Sequence, residues 1–328
     1  MPTAQNAKLE YEAGQTAYPM AEVTDSGDHI TFSGSATMWS NKSGFTPTVR
    51  PNGVATGGAI TIAVSGTNNM VDVAALTCYL AGTLTSVAAD ADVSITRPAT
   101  AVAKINSITV NSSGAIAVVA GTDGSTTAFS ATRGAAGGPP YIPVGSIEIG
   151  QVRLTSSTAA AIASTEIFQV VGVHTERYDY PVWKELYSSG EVEFVGALPL
   201  IHTGDLPKKV YASYYAPIFS EISLSSDFTA PEVTHSVSST QIYNTTIGST
   251  SQSLGQGSFT AYLGDGVSDA LVREKNNNLW FKFTPDRYKS PYILTQGLLG
   301  ISRTFPAGDN IQAACTISAE SAPVEVTG

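Results

Sequence analysis

The residues equipped for chemistry are few. Four histidines occur, His29, His174, His202 and His235. None stands in a His-Glu-x-x-His or Cys-x-x-Cys arrangement, so the spacing that holds zinc is missing. His174-Thr175-Glu176 is the one pair at ligand-like spacing, because residues two apart on a strand share a face. Two ligands do not make a site, and the pair reads as a polar face at the surface. Asp90/Asp92 and Glu191/Glu193 pose the same question for sugar hydrolysis, which needs two carboxyls facing each other across a cleft. Two apart on a strand edge, they read as solvated. The run from Gly264 to Asp269 lacks the alternating acids and bidentate glutamate of a calcium loop, so Asp265 and Ser268 read as turn and helix-capping residues. Gly57-Gly58 and Gly255-Gln256-Gly257 lack the strand-to-helix setting of a dinucleotide site, and no nucleophile elbow or phosphate loop occurs. The expectation is a chain that is not an enzyme, with no catalytic residue, no cofactor and no metal ligand.

One basic concentration stands out. Arg273, Lys275, Lys282, Arg287 and Lys289 are interleaved with Trp280, Phe281, Phe283 and Tyr288, the mixture that grips nucleic acid by stacking and phosphate contact. The chain as a whole argues against that use, with a net charge of −10 and a pI near 4.8, the wrong sign for a phosphate-binding groove. The acidity is even: 8 basic and 13 acidic residues in 1–180, and 9 and 14 in 181–328, leave each part at −5. Strand alternation puts Trp280 and Lys282 on one face, Phe281 and Phe283 on the other. The reading is one core-facing pair, with Lys282 at a subunit interface or on the surface.

The totals frame these residues. A length of 328 suggests two domains at roughly 100–200 residues each. The hydrophobic share of 42% allows a packed core, while charged residues make up only 13% against about 25% in average soluble chains. Serine, threonine, glycine and alanine fill the gap, which suits a β-rich protein whose surfaces are covered in an assembly. Cys78 and Cys315 sit in apolar strand-like runs and read as buried small hydrophobes, though a disulfide stays open. The N-terminal residues show no apolar leader, and no run approaches the ~18 apolar residues of a membrane span. Cytoplasmic synthesis and no membrane partner are expected.

The elements read as strands almost throughout. Residues 1–28 are polar and punctuated by Gly and Pro, and read as an extended arm. Strands are expected at 30–32, 59–64, 76–80, 93–96, 105–110, 116–119, 125–130, 147–154 and 167–174. Thr122-Asp123-Gly124-Ser125 reads as a hairpin turn, since Asp-Gly supplies positive φ. The run from Gly134 to Pro140 reads as a loop. A helix is expected over 157–167, which holds four alanines. Aromatics become denser after 178, so a domain boundary is placed near 178–183. Further strands are expected at 191–195, 208–214, 218–228, 235–242, 253–263, 279–284, 292–304 and 310–319, with one helix at 267–276. The Ser/Thr-rich stretch 236–253 is unusual for a monomer's core. It reads either as an edge that pairs with a neighbouring subunit or as an exposed loop or hairpin.

The C-terminal run from Gly266 carries a resemblance. From Gly266 run the short helix, an Asn276-Asn277-Asn278 turn, the aromatic strand from Leu279 to Thr284, Gly297-Leu298-Leu299-Gly300-Ile301-Ser302, a Pro306-Ala307-Gly308-Asp309-Asn310 turn and a closing strand. This pattern resembles the end of the tube-forming module of long-tailed (siphovirus-like) bacteriophage tail proteins. Arg133-Gly-Ala-Ala-Gly-Gly-Pro-Pro-Tyr-Ile-Pro-Val-Gly145 and Ile147-Glu-Ile-Gly-Gln-Val-Arg153 resemble segments of other phage tail-associated proteins, with Arg133 a loop residue.

The resemblance implies an all-β chain with one or two short helices. Residues 1–35 would be an arm and first strand, 36–178 an outer decorating domain, and 179–328 a tail-tube-type β-sandwich or partial barrel. It implies a structural virion protein, made in the host cytoplasm, whose hexameric rings stack into a tube for DNA ejection. Its partners would be itself and the tape-measure, terminator and baseplate proteins, with DNA passing through unbound. Another tail component (baseplate, fibre-attachment or decoration protein) and a carbohydrate-binding β module are the alternatives. The arm 1–28, the segment 236–252 and the tail 320–328 are expected to stack rings. Lys8, Tyr11, Tyr18, Tyr243, Arg273, Lys275, Trp280, Lys282, Arg287 and Val324 are the candidate assembly residues.

Overall fold

The computed structural model describes residues 6–327. The chain is all-β, with one short α-helix among the described residues and a 3-10 turn at Ser164–Glu166. It divides into two compact units. The first comprises Met1–Tyr18, Met38–Pro47 and Tyr214–Gly328, and the second Pro19–Thr37 and Thr48–Ser213. The boundary placed near 178–183 falls within the second unit. There Trp183–Leu186 pairs with Glu191–Phe194, which pairs in turn with Thr31–Ser33.

The first unit is built on an antiparallel sheet in the order Ser225–Thr229, Gly257–Tyr262, Gln312–Ala319, Tyr292–Thr304, Asn278–Thr284, Lys8–Glu22, Val210–Glu221. Apolar residues two apart line its core face: Leu279 and Phe281, Leu299 and Ile301, Ala313, Cys315 and Ile317, with Leu9 and Tyr11 beside them. The opposite face of the aromatic strand is also covered. Trp280 is 4% exposed, and its indole N–H donates to the Trp39 carbonyl at 2.9 Å. Trp39 stacks on Tyr214 at 4.5 Å, and Tyr214 on Tyr18 at 5.0 Å. The aromatic strand therefore has two buried faces where one was expected.

Two expectations are corrected here. The presumed arm is mostly a strand, Lys8–Glu22, whose register runs Lys8↔Thr284 to Tyr11↔Phe281; its first five residues lie outside the described ones. Charge and a proline disguised it, but Leu9 and Tyr11 point to the core, and the fully buried Glu12 is satisfied by Ser40, Gln15 and the Trp280 N–H. The tail contributes the short strand Val324–Val326, paired with Tyr292, Ile293 and Leu294. The helix expected over 267–276 is a single turn, Ala270–Arg273, preceded by a turn in which Asp269 accepts N–H bonds from Gly264, Asp265 and Gly266. Asp265 accepts those of Val267 and Ser268, as a turn residue should.

Phe281 is fully buried, 5.8 Å from Phe259 ring to ring. Phe281→Ala is expected to cost about 3–5 kcal/mol, from lost transfer energy plus a cavity. Urea unfolding of the variant checks this, and a cost below about 1 kcal/mol would mean the site collapses around the gap.

The second unit packs several small sheets. One runs Ile116–Ala120, Lys104–Val110, Ile147–Leu154, Ile167–Phe168; another runs Gly53–Gly57, Leu76–Leu80, Thr83–Val87; a third runs Asp90–Ser94, Met70–Val73, Ile60–Ile62. Their shared core includes Val71, Cys78, Ile108, Val110, Ile147, Ile149, Val152 and Leu154. Cys78 and Cys315 are both buried and free, and burial pushes their thiols up to about 11 and about 12.

Strict alternation cannot put Ile147 and Ile149 on the same face as Val152 and Leu154. A bulge resolves the conflict. Ile108 pairs with Gly150 while Thr109 pairs with Glu148, so Ile149 is the extra residue. Both apolar pairs then reach the core, and Glu148, Gln151 and Arg153 are gathered on the other face.

Four further expectations fail. The alanine-rich stretch 157–167 holds only the 3-10 turn Ser164–Glu166. The Ala160 carbonyl is instead taken by the Asn69 N–H at 3.0 Å and by Arg97 at 2.9 Å. Asp123-Gly124 makes no hairpin: Asp123 accepts the Ala99 N–H at 2.7 Å and pairs with Lys104 at 2.9 Å. The strand expected at 125–130 is irregular, and that expected at 167–174 is only Ile167–Phe168.

Candidate functional site

The stretch singled out for its serines and threonines is a hairpin of two strands, Val233–Ile242 and Thr245–Leu254, paired with no other strand among the described residues. Ten residue pairs run without a bulge, from Val233↔Leu254 to Ile242↔Thr245. At about 3.3 Å per residue the ladder spans roughly 30 Å. Asn244 closes the turn at φ 71°, a conformation asparagine tolerates. Every residue from 233 to 253 is exposed, and Tyr243 at the tip is completely so, at 100%.

Residues two apart share a face of the hairpin. One face carries a hydroxyl ladder: Thr234 opposite Ser253 at 3.0 Å, Ser236 opposite Ser251 at 2.6 Å, and Ser238 opposite Ser249 at 2.6 Å. The other carries Val233, His235, Val237 and Gln241, with Val237 75% exposed. No Asp, Glu, Lys, Arg or Pro occurs between 233 and 254. Edge strands are ordinarily guarded by charge, proline or a bulge, and this hairpin has none. A lone two-stranded hairpin is marginal in water, so both edges and both faces offer themselves to a partner.

The other candidate assembly residues are scattered. Arg273, Lys275, Arg287 and Val324 are exposed, and Lys8, Tyr18 and Lys282 half-buried. Lys8 pairs with Glu10 at 2.6 Å and Arg287 with Glu221 at 3.0 Å, while the Lys282 ammonium lies 4.5 Å from the Tyr292 ring centre. Tyr11 and Trp280 are buried, at 5% and 4% exposure, and hold the first unit together; as surface contacts they are corrected. The basic residues around the aromatic strand are thus partly spent on local carboxylates.

A second polar site emerges in the second unit, where the bulge collects its side chains. Glu148 is 2% exposed. It accepts from Arg133 at 2.5 Å, from Gln151 at 3.1 Å and from the Ser107 hydroxyl. Burial pushes its carboxyl up, and Arg133, Ser107 and Gln151 pull the other way. The Glu148 N–H donates to Glu176 Oε2 at 2.7 Å. His174 and Glu176, expected as a surface pair, are buried at 7% and 8% exposure. The chain turns at Gly172 (φ 76°) instead of continuing as a strand, which folds both residues inward.

Beside them Lys208, 3% exposed, donates to the carbonyls of Arg177 at 3.0 Å and Tyr180 at 2.5 Å. Burial pushes Glu176 up to about 8 and Lys208 down to about 8, each opposed by the attraction of the other. No group of three or more His, Cys, Asp or Glu able to hold a metal occurs among the described residues.

Backbone packing holds this corner closed. Gly53 has φ 153°, and a Cβ there would lie 2.4 Å from the Arg177 carbonyl carbon and the Tyr178 nitrogen. Gly53→Ala should therefore separate 53–54 from 176–178 and break the Val54 N–H bond to the Glu176 carbonyl (2.7 Å). A loss of about 2 kcal/mol or more is expected from strain in an unfavourable backbone region, read from the denaturation midpoint. An unchanged midpoint would contradict the close approach.

The signal for this site lay in the broken alternation of Ile147-Glu-Ile-Gly-Gln-Val-Arg-Leu154, where polar residues at 148, 151 and 153 cannot all share a face without a bulge. Arg133 is a loop residue as expected, but its guanidinium is engaged on Glu148. Neither the scan against protein-family models nor the search of the curated proteins returns a match to this chain. No helix among the described residues is long and apolar enough to cross a membrane.

Proposed function

We propose that this chain is a structural subunit that assembles with copies of itself into stacked hexameric rings, forming a tube of the long-tailed phage kind through which DNA leaves the virion. The observation that carries the reading is the unguarded hairpin of residues 233–254. Ten ladder pairs stand fully in solvent with no charge on either edge, and edge addition by a neighbouring copy supplies the missing hydrogen-bond partners. The pattern of residues 266–319 supports the same assembly class. So does the scarcity of charge, which fits large polar interfaces. A net charge of −10 favours passage of DNA without grip. Tape-measure, terminator and baseplate proteins are the further partners this reading entails.

Mass determination of the purified full chain tests the reading. Species at six times 34.0 kDa and its multiples are expected, rising with concentration. A stable trimer would point to a fibre or baseplate component and overturn the tube.

A further inference from the structure

The second unit contains a cleft of about 480 Å³ whose wall includes Arg133, Glu148, Arg153, Glu176 and Lys208. Its mouth is apolar: Phe129 is 39% exposed, Tyr180 50% and Leu200 36%. The charges do not balance. Arg133 is matched by Glu148 at 2.5 Å and Arg177 by Asp179 at 2.7 Å. Arg153 has no carboxylate within ion-pair distance among the described residues. Its guanidinium donates to Gln151 Oε1 at 2.9 Å, faces His174 Nε2 at 2.8 Å, and lies 4.5 Å from the Phe168 ring centre.

His174 is a poor acceptor for it, because the Val170 N–H approaches the other ring nitrogen at 3.2 Å, and a neutral imidazole accepts at one nitrogen only. Lys208 donates its hydrogen bonds to two carbonyls, with Glu176 and Asp179 the carboxylates near enough to attract it. Arg153 is thus the cation left without a matching anion, and even with Glu176 ionised Arg133, Arg153, Arg177 and Lys208 outnumber Glu148, Glu176 and Asp179. A positive cleft in a chain of net charge −10 is an anomaly that a ligand of opposite charge explains.

We propose that this cleft binds a small organic carboxylate, with the anionic group on Arg153 and a ring or apolar body against Phe129, Tyr180 and Leu200. A planar guanidinium with spare donors matches the two oxygens of a carboxylate, and the apolar mouth accounts for the body. The inference is independent of assembly, since every residue named lies in the second unit. The groups facing Glu176 are Lys208, Glu148 and Arg133. Burial pushes Glu176 up and Lys208 down to about 8, so as pH rises past that value the pair as a whole sheds a proton, the cleft loses positive charge and affinity falls.

The experiment is calorimetric titration of the full chain with benzoate, and with benzyl alcohol as its uncharged counterpart. Benzoate is expected to bind at least tenfold more tightly than benzyl alcohol at pH 7, and more weakly at pH 9. Arg153→Gln should lower benzoate affinity at least tenfold. Leu200→Trp, which blocks the mouth without touching a buried charge, should lower it as well. Absence of benzoate binding, equal binding of the two probes, or undiminished binding by a folded Leu200→Trp variant would overturn the proposal.

Discussion

Replacing residues 233–254 by a two-residue turn is expected to abolish self-assembly while leaving the unfolding midpoint of the chain unchanged. The deletion is structurally cheap. Glu232 and Gly255 already meet, the Gly255 N–H donating to the Glu232 carbonyl at 2.8 Å, so a short turn closes the gap. The hairpin adds nothing to either hydrophobic cluster, which is why stability should not move. Its only unmet needs are ladder partners on two edges, which the proposed assembly would supply from other copies. A gentler variant makes the same point: Ser238→Lys with Thr250→Lys supplies the missing edge charge. Assembly should then fall at low salt and recover as salt screens the repulsion. Both are read by sedimentation. Unchanged assembly by the deletion variant would remove the hairpin from the interface.

Glu148→Ala is expected to destabilise the second unit by about 3–5 kcal/mol, because it leaves a buried guanidinium without its anion. Three donors lose their acceptor together: Arg133, Gln151 and Ser107. The double variant Glu148→Leu/Arg133→Met removes both charges, and should recover much of that loss, since an apolar pair of similar volume is often no less stable than a buried ion pair. Urea unfolding of the single and double variants decides the matter. A double variant as unstable as the single would show that the charge pair is not what the site depends on.

Much of the strand pattern was legible because apolar alternation and burial coincide. The strands expected at 76–80 and 292–304 are found with those bounds, and so is 147–154, although a bulge breaks its alternation. Lys8–Glu22 escaped because it is buried through polar partners: Glu12 sits in the core on hydrogen bonds from residues distant in sequence. The absent helix at 157–167 shows the weakness of propensity without packing. The stretch presents one buried residue, Ile162, and tertiary donors capture the Ala160 carbonyl. The hairpin was visible as a composition, an uncharged Ser/Thr run, and its isolation from every other strand needed the fold. The cleft was least legible. Arg133, Glu148, Arg153, Glu176 and Lys208 converge through a bulge, a turn at Gly172 and a loop, and of these only the bulge leaves a mark in the spacing.

The measurement that bears most directly on the central claim is electron imaging of the purified full chain at increasing concentration. Hollow rings of sixfold symmetry, stacking into tubes and absent from the hairpin-deleted variant, are the result this account expects. Dispersed single copies or closed trimers at every concentration, with the hairpin intact, would contradict it.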